Sequence, residues 1–219
     1  MINRELYMEQ ITPFIDKPFV KVITGIRRCG KSVVLRLIRE ELLRRGVSED
    51  YIIYMNFESF EWIDMKEAKA LYAHIREATK APGKYYILLD EIQEVTDWEK
   101  AVNAFLVDLD VDIYVTGSNS RLLSSEFSTY LAGRYVAFHI MTLSFREYLL
   151  FHDLPLTISV SDRKTEFLKY LRMGGFPAIH TANYDYNAIY KIVYDIYSSV
   201  ILRDTVQRHS IRNVEMLER

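Results

Sequence analysis

Apolar positions along the chain follow two spacings. Near the start, Tyr7, Ile11, Phe14 and Ile15 recur at helical intervals, and Pro13 is placed to end or bend that helix. Residues 19–24 form a short apolar run suited to a buried strand. A loop over 25–32 follows, then a helix with Val34, Leu35, Ile38 and Leu42 on one face and Gly46 as its stop. Strand-like runs recur at 51–57, 85–89, 111–116 and 135–141. Helical patterns near 66–79, 97–109 and 121–131 separate them. Strands that alternate with helices predict a parallel sheet covered on both faces.

Local signals refine the boundaries. Thr96 with Glu99 and Ser144 with Glu147 both have the spacing of a capping box, and Gly83 after Pro82 marks the turn before the third strand. Strand signals stop near Ser144. The remainder reads as helical, with a stretch over 187–210 rich in Tyr, Ile and Val. The expected division is a core over 1–143 and a helical segment over 144–219. Residues 213–219 look like the start of a helix, so the chain is expected to be the front part of a longer polypeptide. There is no internal repeat or low-complexity segment.

Residues 25–32, Gly-Ile-Arg-Arg-Cys-Gly-Lys-Ser, match the pattern G-x-x-x-x-G-K-[ST] at every fixed position and lie between a predicted strand and a predicted helix. Gly25 and Gly30 let the backbone turn tightly enough to aim N–H groups at phosphate oxygens, and the helix N-terminus adds its positive dipole end. Lys31 is expected on the β and γ phosphates and the Ser32 hydroxyl on magnesium. Gly25, Arg28, Cys29, Gly30, Lys31, Ser32 and Val33 are thus the expected nucleotide-binding set.

The third strand ends in Asp90-Glu91. Ligands of a parallel sheet gather beyond the carboxyl ends of its strands, so Asp90 is expected beside Ser32 in the magnesium shell, with Glu91 polarising an attacking water. Cys29 reads either as a small filler or as an oxidisable thiol in a positive site.

These motifs together resemble the AAA+ division of phosphate-loop ATPases, with Walker A at 25–32 and Walker B at 87–91. Residues 23–32, 89–93 (Leu-Asp-Glu-Ile-Gln), 116–120 (Thr-Gly-Ser-Asn-Ser), 143–147 (Leu-Ser-Phe-Arg-Glu) and 174–177 (Gly-Gly-Phe-Pro) look like a group of bacterial and archaeal AAA-type ATPases. In that group the core precedes a C-terminal region of unknown function, and members usually run well past this length. The resemblance implies a three-layer α/β/α phosphate-loop NTPase of AAA+ type with a five-stranded parallel sheet, followed by a mostly helical segment. It implies ATP and Mg2+ as cofactors.

It also implies further site residues. Ser118, with Asn119 as runner-up, fits a polar sensor at the end of the fourth strand. Arg134, just before the fifth strand, fits an arginine finger supplied to a neighbouring subunit, with Arg121 as the alternative. Asn56, on the strand beside Walker B, is expected to hold Glu91 idle until a partner binds. The segment after Ser144 departs from the family's usual lid, so no second sensor arginine is assigned.

Composition narrows the setting. Of 219 residues 49 % are hydrophobic and 26 % charged, which excludes a disordered chain. Twenty-eight basic against 30 acidic residues give a net charge of -2, so no global positive field recruits nucleic acid or acidic lipid. Arg203, Arg208 and Arg212 add local positive charge only. Cys29 is the one cysteine, and no run reaches the roughly 18 apolar residues of a membrane span; a cytoplasmic protein is expected. The five histidines have no metal spacing. Tyr186, Tyr190, Val193, Tyr197, Val200 and Ile201 form a helical stripe that reads as core or interface. Hydrolysis of ATP, a homo-oligomer with its finger in trans, and as alternative an ATP-dependent switch with little turnover are the functional expectations. A kinase is a third.

Overall fold

Five apolar runs become the five strands of one parallel sheet. A computed structural model describes residues 4–117, 122, 131–181 and 184–200. The chain divides into two compact units, residues 3–25 with 31–140, and residues 26–30 with the chain from 141 onward.

In the first unit, α1 (Glu5–Ile11) passes into a single 3-10 turn at Thr12–Phe14, where Pro13 accounts for the change. There follow β1 (Val20–Thr24), α2 (Lys31–Arg44), β2 (Ile52–Asn56), α3 (Ala68–Ala78), β3 (Tyr85–Asp90), α4 (Trp98–Asp108), β4 (Val111–Gly117) and β5 (Tyr135–His139). The strands stand in the order β2-β3-β4-β1-β5, every pair parallel. All five carboxyl ends therefore share one edge of the sheet.

The alternation of side chains across the pleat sorts the core. Val20 and Val22 of β1, Ile87 and Leu89 of β3, and Ile113 and Val115 of β4 join Leu71 and Ile75 of α3 and Val102 and Phe105 of α4 in one buried cluster. Their neighbours Ile23, Leu88 and Tyr114 lie outside that cluster and are fully buried, as are Leu35, Ile38 and Leu42 of α2. Both β1 and β3 are buried along their whole length, which explains why they read as apolar runs, β1 being interrupted only by Lys21 before its terminal Thr24.

One exception to apolar filling is Lys21. Its ammonium is ion-paired with Asp112 on the adjacent β4 and donates to Lys17 O at 2.9 Å. Asp112 Oδ2 accepts from Asp16 N at 2.8 Å and from the Tyr114 hydroxyl at 2.9 Å, so the buried pair is also hydrogen-bonded.

The second capping box, Ser144 with Glu147, forms in full at the start of α5 (Phe145–Phe151). The first does not. Thr96 is paired with Glu67 in an isolated parallel bridge, its N–H donating to Lys66 O at 2.9 Å, so α4 starts one residue later behind Asp97 in a left-handed conformation. That pairing also trims the expected helix at 66 to α3. Most of the expected helix over 121–131 lies outside the described residues.

The second unit is helical in its described residues, with α6 (Val160–Met173) and α7 (Tyr186–Val200) after α5. Phe145, Tyr148, Phe167 and Tyr170 pack their rings between α5 and α6, and Leu143 N donates to Gly175 O at 2.7 Å. Along α7, Tyr186, Tyr190, Tyr194 and Tyr197 are exposed, whereas Ile189 and Ile196 are buried. Of the stripe read as core or interface, Tyr186, Tyr190 and Tyr197 are exposed and so form no core within this unit, Val193 is half-buried, and the side chains of Val200 and Ile201 lie outside the described residues.

Candidate functional site

The loop between β1 and α2 opens and closes on glycines with positive φ, Gly25 at 151° and Gly30 at 105°. Arg28 joins them at 62°, an uncommon conformation for a side chain with a Cβ. Within the loop Cys29 N donates to Ile26 O at 3.3 Å, and the Cys29 side chain is fully buried while Arg28 is exposed. A buried thiol is an inert filler, so the oxidisable reading of Cys29 has no support.

Lys31 is the first residue of α2 and Ser32 and Val33 the next two, so their N–H groups belong to the first turn, where helical donors have no intrahelical partner. Lys31 is buried, and its ammonium lies 3.5 Å from Glu91 Oε1. The strand edge thus brings the predicted lysine and the predicted glutamate together.

Asp90 ends β3 and is fully buried. The Tyr54 hydroxyl of β2 donates to its Oδ2 at 3.1 Å, and the Thr116 hydroxyl of β4 donates to its Oδ1. Burial, followed by the Asp90 charge, pushes the Tyr54 hydroxyl well above its usual pKa, so it stays a neutral donor. Glu91 leaves the strand in the left-handed region, φ 53° and ψ 48°. That conformation costs about 1–2 kcal/mol in a residue with a Cβ. It is held by the Glu91 N–H, which donates to Thr116 Oγ at 2.9 Å, and by Gln93, whose side-chain amide donates to Glu91 Oε2.

Asn56 does not reach Glu91 as expected. Register places it opposite Asp90, its Oδ1 accepts from Glu58 N at 2.9 Å, and its NH2 group makes no hydrogen bond to Glu91. Arg134 is exposed beside the start of β5 and donates to Asn103 Oδ1 of α4 at 3.1 Å. Ser118, Asn119 and Arg121 lie outside the described residues. Thr116, Tyr54 and Gln93 are the site residues that motif reading missed. Only the strand order, which puts β2 and β4 on either side of β3, could have pointed to the first two.

A family model described as an AAA domain matches residues 17–149. The chain belongs to the AAA domain family. This AAA domain is 39 % identical, over its whole length, to an uncharacterized protein of Haemophilus influenzae, and it covers 54 % of that protein. It is 34 % identical, again over its whole length, to an uncharacterized protein of Methanocaldococcus jannaschii, of which it covers 48 %. The chain therefore spans about half the length of these curated relatives. Among solved structures, AMPPCP-bound DnaA from Aquifex aeolicus is similar with a TM-score of 0.53 at 15 % identity, covering 95 % of this chain and 68 % of that one. Cdc6p from Pyrobaculum aerophilum is similar with a TM-score of 0.50 at 13 % identity, covering 97 % and 64 %. At these identities the likeness is one of fold, the AAA+ P-loop NTPase fold of the nucleotide-binding family. Among the described residues no helix is long and apolar enough to cross a membrane.

Proposed function

We propose that this AAA domain binds ATP with magnesium and hydrolyses its β–γ phosphoanhydride by in-line attack of water. The observation that carries the reading is the meeting of Lys31, at the N-terminus of α2, with Glu91, beside a buried and doubly hydrogen-bonded Asp90. Lys31 neutralises the terminal phosphates, and the first-turn N–H groups of α2 add donors. Glu91 takes the proton of the attacking water. Ser32 and Asp90 suit magnesium, which prefers few protein oxygens beside phosphate and water; when bound, it neutralises charge on the phosphates. Tyr54 and Thr116 keep the Asp90 carboxylate fixed by donating to both its oxygens.

Arg134, at the surface and lightly held by Asn103, serves as the finger offered to a neighbouring copy, in keeping with a homo-oligomer. Ser118 is the sensor residue of this reading, and the location is cytoplasmic. The test is direct. Lys31→Ala abolishes nucleotide binding, whereas Glu91→Gln binds ATP and releases no phosphate. Normal phosphate release from Glu91→Gln overturns the assignment.

The Lys31–Glu91 ion pair also favours a second reading, an ATP-dependent switch with little turnover, since a general base paired with the phosphate lysine is not poised on water. Tight binding without phosphate release at any protein concentration decides for the switch.

A further inference from the structure

Both oxygens of the Glu91 carboxylate are held by groups of its own chain. Lys31 Nζ stands 3.5 Å from Oε1, and the Gln93 amide nitrogen donates to Oε2. The amide has one orientation available, because its oxygen is an acceptor like the carboxylate and only its NH2 group can face Glu91. Gln93 sits two residues after Glu91 in the single 3-10 turn Ile92–Glu94, closed by Glu94 N donating to Glu91 O at 3.1 Å. The amide oxygen is buried without a hydrogen-bond partner and lies over Gly117 at the end of β4. A Cβ on Gly117 would lie 2.1 Å from Gln93 Oε1, so the seat exists only because residue 117 has no side chain. With the Glu91 backbone pinned on Thr116, the remaining freedom of the carboxylate is its side-chain rotation, and Gln93 fixes that rotation toward Lys31. Asn56 makes no hydrogen bond to Glu91; its Oδ1 accepts the Glu58 N–H.

We propose that Gln93 is a positioning residue that holds Glu91 against Lys31, so that an arriving nucleoside triphosphate must displace the carboxylate from the lysine in order to bind. The proposal rests on the nucleotide-binding reading above. Two anions, carboxylate and phosphate, compete for one ammonium, and the amide biases the competition toward the carboxylate.

The experiment titrates mant-ATP with magnesium into the 219-residue chain and into Gln93→Ala, Glu91→Ala and the double variant, with a thermal melt of each. Removing one hydrogen bond to a competing charge tightens mant-ATP binding by Gln93→Ala about three- to tenfold. Glu91→Ala tightens it at least as much, and Gln93→Ala then adds nothing in the Glu91→Ala background, because it acts only through that carboxylate. A purely structural glutamine would instead lower affinity together with melting temperature. Unchanged or weaker binding by Gln93→Ala, or an equal effect in both backgrounds, overturns the proposal. Phosphate release from the same samples separates the two readings. Binding without release removes the hydrolase reading and leaves Gln93 to be judged on the affinities, whereas no mant-ATP binding by any of the four proteins removes both.

Discussion

The hydroxyl of Thr116, at the end of β4, accepts the backbone N–H of Glu91 at 2.9 Å, while its proton goes to the Asp90 carboxylate on the same neighbouring strand. One fully buried oxygen thereby fixes a left-handed backbone turn and the carboxylate before it. Thr116→Val keeps the shape and removes both bonds, leaving a buried donor and a buried carboxylate each short of a partner. The expected loss is about 1–3 kcal/mol of stability. Phosphate release falls with it, because Asp90 and the Glu91 backbone both lose the group that places them. Thr116→Ser retains the hydroxyl and most of the activity. Urea unfolding and phosphate release check both, and equal loss in the two variants would remove the hydroxyl from the account.

Arg134 touches Asn103 through one guanidinium nitrogen, at the protein surface, and exposed contacts of this kind contribute little to stability. Arg134→Ala is expected to leave the melting temperature within about 2 °C, as surface substitutions usually stay within 0.5 kcal/mol. Its effect shows instead in turnover. Phosphate release per molecule rises with protein concentration in the parent chain and loses that rise in Arg134→Ala. A concentration-independent rate in the parent rejects a finger supplied by a second copy.

The elements that proved legible in the sequence are those specified by neighbours along the chain. All five strands were visible as mainly apolar runs, because β1 and β3 are buried along their whole length and β4 nearly so. Gly25, Lys31, Asp90 and Glu91 were legible because each belongs to a contiguous motif, and a parallel sheet puts every strand end on the same edge. Thr116 and Tyr54 were not, since their roles depend on which strands flank β3, and no spacing encodes that. Asn56 shows the converse error. Strand neighbourhood was right, but the side chain is turned into a local bond from Glu58 N to its Oδ1 and makes none to Glu91. Thr96 likewise lost its capping role to a pairing with Glu67, far back along the chain.

At the opposite end of β1 and β4 from the phosphate loop, the buried Lys21–Asp112 pair joins the strands. Burial, despite the Asp112 charge, holds the Lys21 ammonium below its usual pKa, a sign that desolvation is the dominant influence there. Asp112→Ala strands a buried cation and removes the acceptor of Asp16 N and the Tyr114 hydroxyl, so about 3–5 kcal/mol of stability is lost. Lys21→Met combined with Asp112→Leu costs less than Asp112→Ala alone, because no charge is left unpaired. Denaturant unfolding of the three proteins checks the order, and a double variant weaker than the single one contradicts it.

In the helical unit His152 Nε2 and His180 Nδ1 lie 3.1 Å apart, and His180 Nε2 lies 2.8 Å from Gly174 O. A carbonyl only accepts, so His180 carries its proton on Nε2 and receives the His152 N–H on Nδ1, an arrangement complete with both rings neutral. Burial, with His152 adding to it against the Gly174 bond, holds His180 below its ordinary value of 6.5. The unfolded chain therefore takes up this proton before the folded one does. Stability from His180 is present above about pH 6.5 and is lost as pH falls through the lower folded value. Glu166, which accepts from Tyr148 beside the pair, is held below its usual 4.5 chiefly by Lys169, and Asp16 is held below 3.8 by Lys84 and Tyr86 against its burial. Those carboxylates lose their contributions only below these two values, so the windows separate. Thermal melts between pH 8 and about pH 5 should show a falling melting temperature below 6.5 in the parent chain and a flatter profile in His180→Gln, while both fall together in stronger acid. An identical slope above pH 5 in the two proteins would assign that slope to groups other than His180.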